Sequence, residues 1–402
     1  MGKLIIYQSE FLVNNLFLER KTYLQSSSFD DIISVNIFSR STMNINIKTD
    51  LWHYLAASDR PIVMYGMGNG ADKIIAVCEK YGVTISDFFA SDGFVRGHSF
   101  HGKTVISYSA MKEKYEGQNP IVILSFASSL PEVMALFKRV GDECELYAPD
   151  VPVFGDTLFT IEFFEANRER FESVYKMLAD EESRRIYKNV ICYKLTGDIK
   201  YLWESESNKQ DVYENLLDCK NIHSYLDLGA YNGDTMREIL FYNPELEKAI
   251  ALEPDARNFR KLTEYASGAE IDLKCVNAGA WCENTTLLFD ASGNRNAGIV
   301  SRGNIVSKIK EVPAVSVDSV LEGERVDYIK YDVEGSEREA LMGSAQTIKT
   351  YAPKLLVSLY HRSEDMFALP ELVKEINPNY SLYLRRFPYI PAWDLNLYAI
   401  KR

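Results

Sequence analysis

An α/β fold on two doubly wound sheets is predicted by three features of this sequence. Short apolar runs alternate with amphipathic stretches over residues 60–150, and again from residue 222 onward. That alternation places parallel strands side by side with helices between them. Each unit opens with an apolar run that enters a glycine-bearing loop, IVMYGMGNGAD from Ile62 and SYLDLGAYNGDT from Ser224. At 402 residues, 46% hydrophobic and 25% charged, the chain suits two or three domains with sizeable cores.

The elements follow in order. Residues 1–58 read as an N-terminal segment, amphipathic at 11–24, Ser/Asn-rich after that, and helical at 49–57. Residues 59–150 read as a small unit with strands at 62–65, 84–90, 104–107, 120–127 and 145–148, and helices at 71–81 and 130–140. The run APDVPVFGD closes it. Residues 151–220 form a connector, helical at 160–195 and polar afterwards, where ESESNKQD suggests an exposed linker or lid. The second unit, 221–402, has strands at 225–228, 249–253, 271–276, 285–289, 312–317, 326–331 and 354–360, then a closing pair at 382–385 and 395–400. Its helices fall at 234–241, 256–266, 337–350 and 365–375, and the Gly/Asn/Ser-rich stretch 291–304 reads as a mobile loop.

Composition narrows the partners. A net charge of −12 argues against duplex nucleic acid. The start MGKLIIYQSEF lacks the apolar core of a signal peptide, and Ile6 stands where myristoylation needs Ser or Thr. No apolar run reaches the roughly 18 residues of a membrane helix. The six cysteines are scattered without a CxxC pair, so a reduced, cytoplasmic protein without zinc is expected.

The two loops make different offers. Asp227 ends the strand before the downstream loop and would repel a pyrophosphate. It suits a cationic ligand such as the sulfonium and ammonium of S-adenosylmethionine. Gly229 and Gly233 allow close backbone approach. Glu253 ends the next strand, where a carboxylate commonly accepts hydrogen bonds from ribose hydroxyls. Farther on, YIKYDVEGSE places Lys330, Asp332 and Glu334 on one face if the strand continues that far. Ser336 with Glu339 also fits a capping box for the following helix.

These stretches, with ALEPDARNF, VNAGAW, VDSVL, YIKYDVEGSEREALMGS and LLVSLYH, resemble the FkbM-type family of S-adenosylmethionine-dependent methyltransferases over roughly residues 222–402. The resemblance implies a seven-stranded class I methyltransferase sheet with an antiparallel last strand, and methylation of a hydroxyl on a sugar, glycan precursor or secondary metabolite. It implies that Asp227, Gly229 and Gly233, with Ala230, Asn232 and Asp234, line the methionine end. Glu253 and Pro254 would meet the ribose, and Asn277 and Ala278 the adenine. Asp332 and Glu334 would face the acceptor. This chain departs from relatives that carry a carboxylate before the histidine of the next strand, since it reads Ser358-Leu-Tyr-His361.

In such chemistry His361 is a candidate base, with an ordinary pKa of ~6.5, and Asp332 is its rival. Lys330 would steady the developing oxyanion. Asp332 with Glu334 suits Mg²⁺, yet the sequence offers no third ligand, so no metal is expected. The C-terminal aromatics Tyr380, Tyr383, Phe387, Tyr389, Trp393 and Tyr398 are expected mostly in a core, and 293–303 as an acceptor lid. The upstream loop, Gly66-x-Gly68-x-x-Ala71, formally fits a dinucleotide pattern, with Asp72 opposing an anion. It leaves three roles open: nucleotide or nucleotide-sugar binding, acceptor presentation, or a packing or homodimer scaffold. An NAD-linked or nucleotide-sugar-binding protein with an inert methyltransferase shell is the alternative reading.

Overall fold

The computed structural model describes residues 42–290 and 309–401. The chain divides into Met1–Asn44 and Ile45–Arg402. Only residues 42–44 of the first unit are described, and they carry no regular structure. The helix expected at 11–24 and the loop and lid expected within 291–304 lie outside the described residues.

The upstream sheet is built from β1 (Ile62–Tyr65), β2 (Asp87–Ala90), β5 (Ile106–Ser107), β6 (Ile121–Leu124) and β7 (Glu145–Tyr147). A ribbon of β3 (Ser99–Phe100) and β4 (Lys103–Thr104) lies beside it. Its order is β5-β2-β1-β6-β7, with every pairing parallel. In the helix Asn69–Lys80, Ala71, Ile74, Val77 and Cys78 are buried on one stripe. They share a core with Met64, Phe88 and Ile123. The helix Leu51–Ala56, assigned from sequence to the N-terminal segment, contributes Leu51, Trp52 and Leu55 to that same core. Burying each such side chain is worth about 1.5–3 kcal/mol. The sequence reading missed the helix Tyr108–Lys114, which Ser107 caps by accepting from Ala110 N.

The connector contains helices Ile161–Ala166, Arg168–Met177 and Glu181–Thr196. The last is capped by Asp180 and buries Ile186, Tyr187, Val190, Ile191 and Leu195. In ESESNKQD, Glu204, Glu206, Asn208, Gln210 and Asp211 are exposed, while Ser205 and Ser207 are buried and anchor the stretch. Leu202, Ser205, Val212 and Leu217 are buried. Arg386, wholly buried, donates to the Leu202 carbonyl at 2.8 Å, and Ser207 N donates to the Arg386 carbonyl at 2.8 Å. The segment is thus tied down at alternate positions, with Ser207 Oγ also donating to Glu182 at 2.8 Å.

The downstream sheet contains β8 (Ser224–Leu228), β9 (Lys248–Leu252), β10 (Asp272–Val276), β14 (Tyr328–Tyr331), β15 (Lys354–Ser358), β16 (Tyr380–Arg386) and β17 (Leu395–Lys401). Their order is β10-β9-β8-β14-β15-β17-β16. The final strand, β17, runs antiparallel to both neighbours. The remaining strands β11 (Gly279–Ala280), β12 (Thr285–Asp290) and β13 (Ile309–Val315) form a separate three-stranded sheet. The helix expected at 337–350 is two, Glu337–Met342 and Ala345–Tyr351. At the break, a Cβ on Gly343 would stand 2.0 Å from the Trp281 carbonyl oxygen, so the chain passes there only without a side chain. Strand order reverses at β8, where the chain steps out to β9 and later returns to β14. That is where an open α/β sheet leaves a crevice for ligands.

Candidate active site

The loop after β8 is held by its own neighbours. Gly229 N and Ala230 N both donate to the Leu252 carbonyl, at 3.1 and 2.9 Å. Gly229 has φ +82°, and a Cβ there would stand 1.9 Å from the Asp332 carbonyl oxygen. A Cβ on Gly233 would stand 2.7 Å from the Tyr265 ring. Both glycines therefore allow close packing within the protein, and Gly229 also lines the cavity described below. Glu253 accepts from Tyr231 N and Asp255 N, each at 2.8 Å. Burial pushes its carboxyl up to about 7 in spite of those two donors. Asn277 Nδ2 donates to the Glu253 carbonyl at 2.7 Å.

Asp227 has no exposed surface. Parallel pairing sets it opposite Lys330, whose Nζ lies 3.3 Å from its Oδ1, and Thr235 donates to its Oδ2. Burial alone would lower the Lys330 pKa, but Asp227 and Asp332 outweigh it and raise it. Asp227 thus holds Lys330 and Thr235 and is not among the residues that line the cavity described below.

Asp332 follows β14. Its Oδ1 accepts from Ser358 Oγ at 3.0 Å and Tyr360 Oη at 2.8 Å. Burial raises its pKa, but Lys330, His361 and these hydroxyls more than offset that, so it lies below the usual range. Glu334 sits in a turn at φ +52°, and burial pushes its carboxyl up to about 7. His361 is fully buried, with Nδ1 3.0 Å from Glu337 Oε1. Burial would lower its pKa, but Glu337, Glu334 and Asp332 prevail and push it up to about 10. Those three carboxylates favour the protonated imidazole. The expected capping box is absent, because Ser336 makes no capping bond and Glu337 instead accepts from Val333 N at 2.8 Å.

A cavity of about 460 Å³ opens at this sheet edge. Of the residues expected at the site, Gly229, Asp234, Glu253, Pro254, Ala278, Lys330, Asp332 and Glu334 line it. Asp227, Ala230, Asn232, Gly233, Asn277 and His361 lie behind it or beside it. The sequence reading missed Tyr231, Asn258, Tyr360, Asp394 and Asn396, which also line it. Tyr360 had a signal in its place next to His361, while Asp394 and Asn396 had none, since they arrive from the last hairpin. Phe387, Tyr389 and Trp393 face the cavity, whereas Tyr380, Tyr383 and Tyr398 are buried core.

Residues 227–387 match the family model of the methyltransferase FkbM domain. This part of the chain is an FkbM-type methyltransferase domain. A solved FkbM methyltransferase from Methylobacillus flagellatus is similar in fold, with a TM-score of 0.64 at 21% identity, over 85% of this chain and 90% of that one. Fibrillarin from Aeropyrum pernix, solved with S-adenosyl-L-methionine, shows 12% identity and a TM-score of 0.30, over 45% of this chain and 68% of its own. A precorrin-6y C5,15-methyltransferase from Geobacter metallireducens shows 11% identity and a TM-score of 0.31, over 49% and 93%. No curated protein matches the sequence.

The methyltransferase domain does not close its cavity alone. Ser129 and Val153, from the upstream unit and the connector, line it too. Ser128 and Ile390 exchange backbone hydrogen bonds at 2.9 and 3.0 Å, docking the upstream unit on the last hairpin. Of the upstream glycines, Gly66 and Gly70 have other occupants, whereas Gly68 has open space where a Cβ would stand. A Cβ on Gly66 would stand 2.6 Å from the Phe126 ring, and one on Gly70 would stand 2.3 Å from the Ser125 carbonyl oxygen. Among the described residues no helix is long and apolar enough to cross a membrane.

Proposed function

We propose that this methyltransferase uses S-adenosylmethionine to methylate a hydroxyl of a sugar, glycan precursor or secondary metabolite lacking phosphate. The carrying observation is the cavity at the strand-order reversal, with the buried Glu253 on one wall and the Asp332–Tyr360 pair on another. Glu253 would take the ribose hydroxyls, beside Asn258 and Ala278 for the adenine side. The acceptor hydroxyl would lie by Asp332, whose carboxylate is ionised at neutral pH. In the reaction the C–S bond breaks as the C–O bond forms, and the hydroxyl proton passes to Asp332. Positioning of this kind supplies up to ~7–11 kcal/mol in favourable cases.

The lining supports a neutral acceptor. Asp234, Glu238, Glu253, Asp332, Glu334 and Asp394 surround the cavity. Its lysines are committed, Lys209 to Glu238 at 2.6 Å and Lys330 to Asp227. Among the described lining residues, a phosphorylated acceptor would meet repulsion without a free cation to balance it. Tyr389 and Trp393, 5.5 Å apart, offer faces on which a sugar ring could stack.

Calorimetric titration of S-adenosylhomocysteine into the full chain tests the donor site, beside Glu253→Ala. Micromolar binding that the variant loses supports the reading. A folded wild type that binds neither S-adenosylhomocysteine nor S-adenosylmethionine would sink it. Asp227 is a poor probe, because its removal strands a buried lysine.

A further inference from the structure

The cavity runs on past the Glu253 and Asp332 walls, between the sheet and the helix Asp234–Tyr242. Thr235, Glu238 and Ile239 line it from that helix, and their spacing sets them on one helical face. Tyr225 of β8, Tyr328 of β14 and Leu356 of β15 line it from the sheet, in one core cluster with Ile239. Register brings these three together. Tyr225 pairs with Tyr328, and Leu356 pairs with Lys330, which shares a face with Tyr328 two residues along the strand.

This arm differs in chemistry from the rest of the cavity. Its walls are Tyr213, Tyr225, Ile239, Tyr328, Leu356 and Phe387, all buried. The Tyr225 and Tyr328 rings stack with centroids 5.1 Å apart. Lys209 and Glu238 beside it are paired at 2.6 Å, and Lys209 Nζ also lies 4.8 Å from the centre of the Phe387 ring. With its charges paired and its walls apolar, the arm favours a neutral guest.

Two observations separate the arm from a gap in packing. Tyr225 has 1% of its surface exposed, and its Oη has no aligned hydrogen-bond partner among the described residues. Thr235 beside it gives its own hydrogen to Asp227. Buried polar groups are normally paired, so a lone phenol on a cavity wall marks a place for a ligand atom. Tyr213 comes from a widened helical turn, in which Leu217 N donates at 2.8 Å to the Val212 carbonyl, five residues back. Such turns recur at functional sites.

We propose that this arm receives a neutral aromatic group carried by the methyl acceptor, with Tyr225 Oη donating to an oxygen on that group. The tyrosine rings and Phe387 suit a flat ring by stacking and edge contacts. The role rests on the methyltransferase reading and narrows its acceptor to hydroxyl compounds that bear an aryl ring.

Calorimetric titration of 2-naphthol into the full chain, with and without saturating S-adenosylhomocysteine, tests the arm. Binding tighter than ~1 mM is expected in both conditions. Tyr225→Phe should weaken it about fivefold, the loss of one hydrogen bond. The apo stability of that variant should not fall, since the lost hydroxyl has no partner in the fold. Ile239→Trp, which fills the arm, should abolish binding. Circular dichroism checks folding, and if Ile239→Trp fails to fold, Tyr225→Phe decides. Wild type that does not bind 2-naphthol overturns the proposal, as does binding that S-adenosylhomocysteine displaces or that Tyr225→Phe leaves unchanged. S-adenosylhomocysteine titrated alone reports on the donor site, so the two readings can fail independently.

Discussion

The two glycine loops look alike in sequence and differ in what stands over them. Each follows the first strand of its sheet, and each has glycines, Gly66 upstream and Gly229 downstream, against which another part of the chain presses. Upstream, Phe126 and Ser125 occupy that space. Downstream, the Asp332 carbonyl presses on Gly229, but the loop also borders a cavity walled by carboxylates. Glycine spacing therefore reports close backbone approach, and whether the approach serves a ligand is decided by the neighbouring strands.

The sharpest way to test the contrast is the charge beneath the downstream loop, which has no upstream counterpart because β1 ends in Tyr65. Lys330→Met leaves Asp227 buried and unpaired. It should cost about 3–5 kcal/mol in chemical denaturation. A loss below about 1 kcal/mol would mean that Asp227 is satisfied without the lysine. Gly66→Ala comes next. Its φ of +111° and the Phe126 ring predict a loss of about 1–3 kcal/mol. Affinity for S-adenosylhomocysteine should not change, and a fall would show that the upstream loop takes part in donor binding.

Glu253→Gln should weaken S-adenosylhomocysteine tenfold to a hundredfold by calorimetry, about 1.4–2.8 kcal/mol. The smallest effect is in pH. Burial holds the Glu253 carboxyl at about 7, above its ordinary value of 4.5. Its contribution to apo stability is thus full below pH ~4.5 and fades as pH rises through about 7. Ribose hydroxyls donate to the ionised form, so affinity should improve up to tenfold from pH 6 to pH 8. Glu253→Gln should flatten that rise, and an unchanged slope in the variant would assign it to another group.

Much of this architecture was legible because it is local. The strand, loop and helix around Asp227 and the order of the downstream elements follow from short-range periodicity, as does Glu253 at a strand end. What depends on register between distant strands was not legible. The pairing that sets Lys330 against Asp227, 103 residues away, is one example. The approach of Glu334 and Glu337 to His361 likewise joins residues from separate elements. The break at Gly343 and the buried hydrogen bonds of residues 197–220 depend on partners no local pattern reveals. The carboxylate and aromatic wall from the last hairpin was seen only in part, because a core aromatic and a cavity aromatic look the same in a list of residues.

The backbone bridge between Ser128 and Ile390 makes recombination between relatives asymmetric. The upstream unit reaches the cavity beside Ser129, at the end walled by Tyr389 and Trp393, and the Glu253 wall lies on a different strand edge. On the proposed function, a chimaera that exchanged the upstream unit would inherit a new threshold for the incoming acceptor and keep its old donor pocket. Diversity in what is methylated could then accumulate in a part of the chain that carries none of the transfer chemistry.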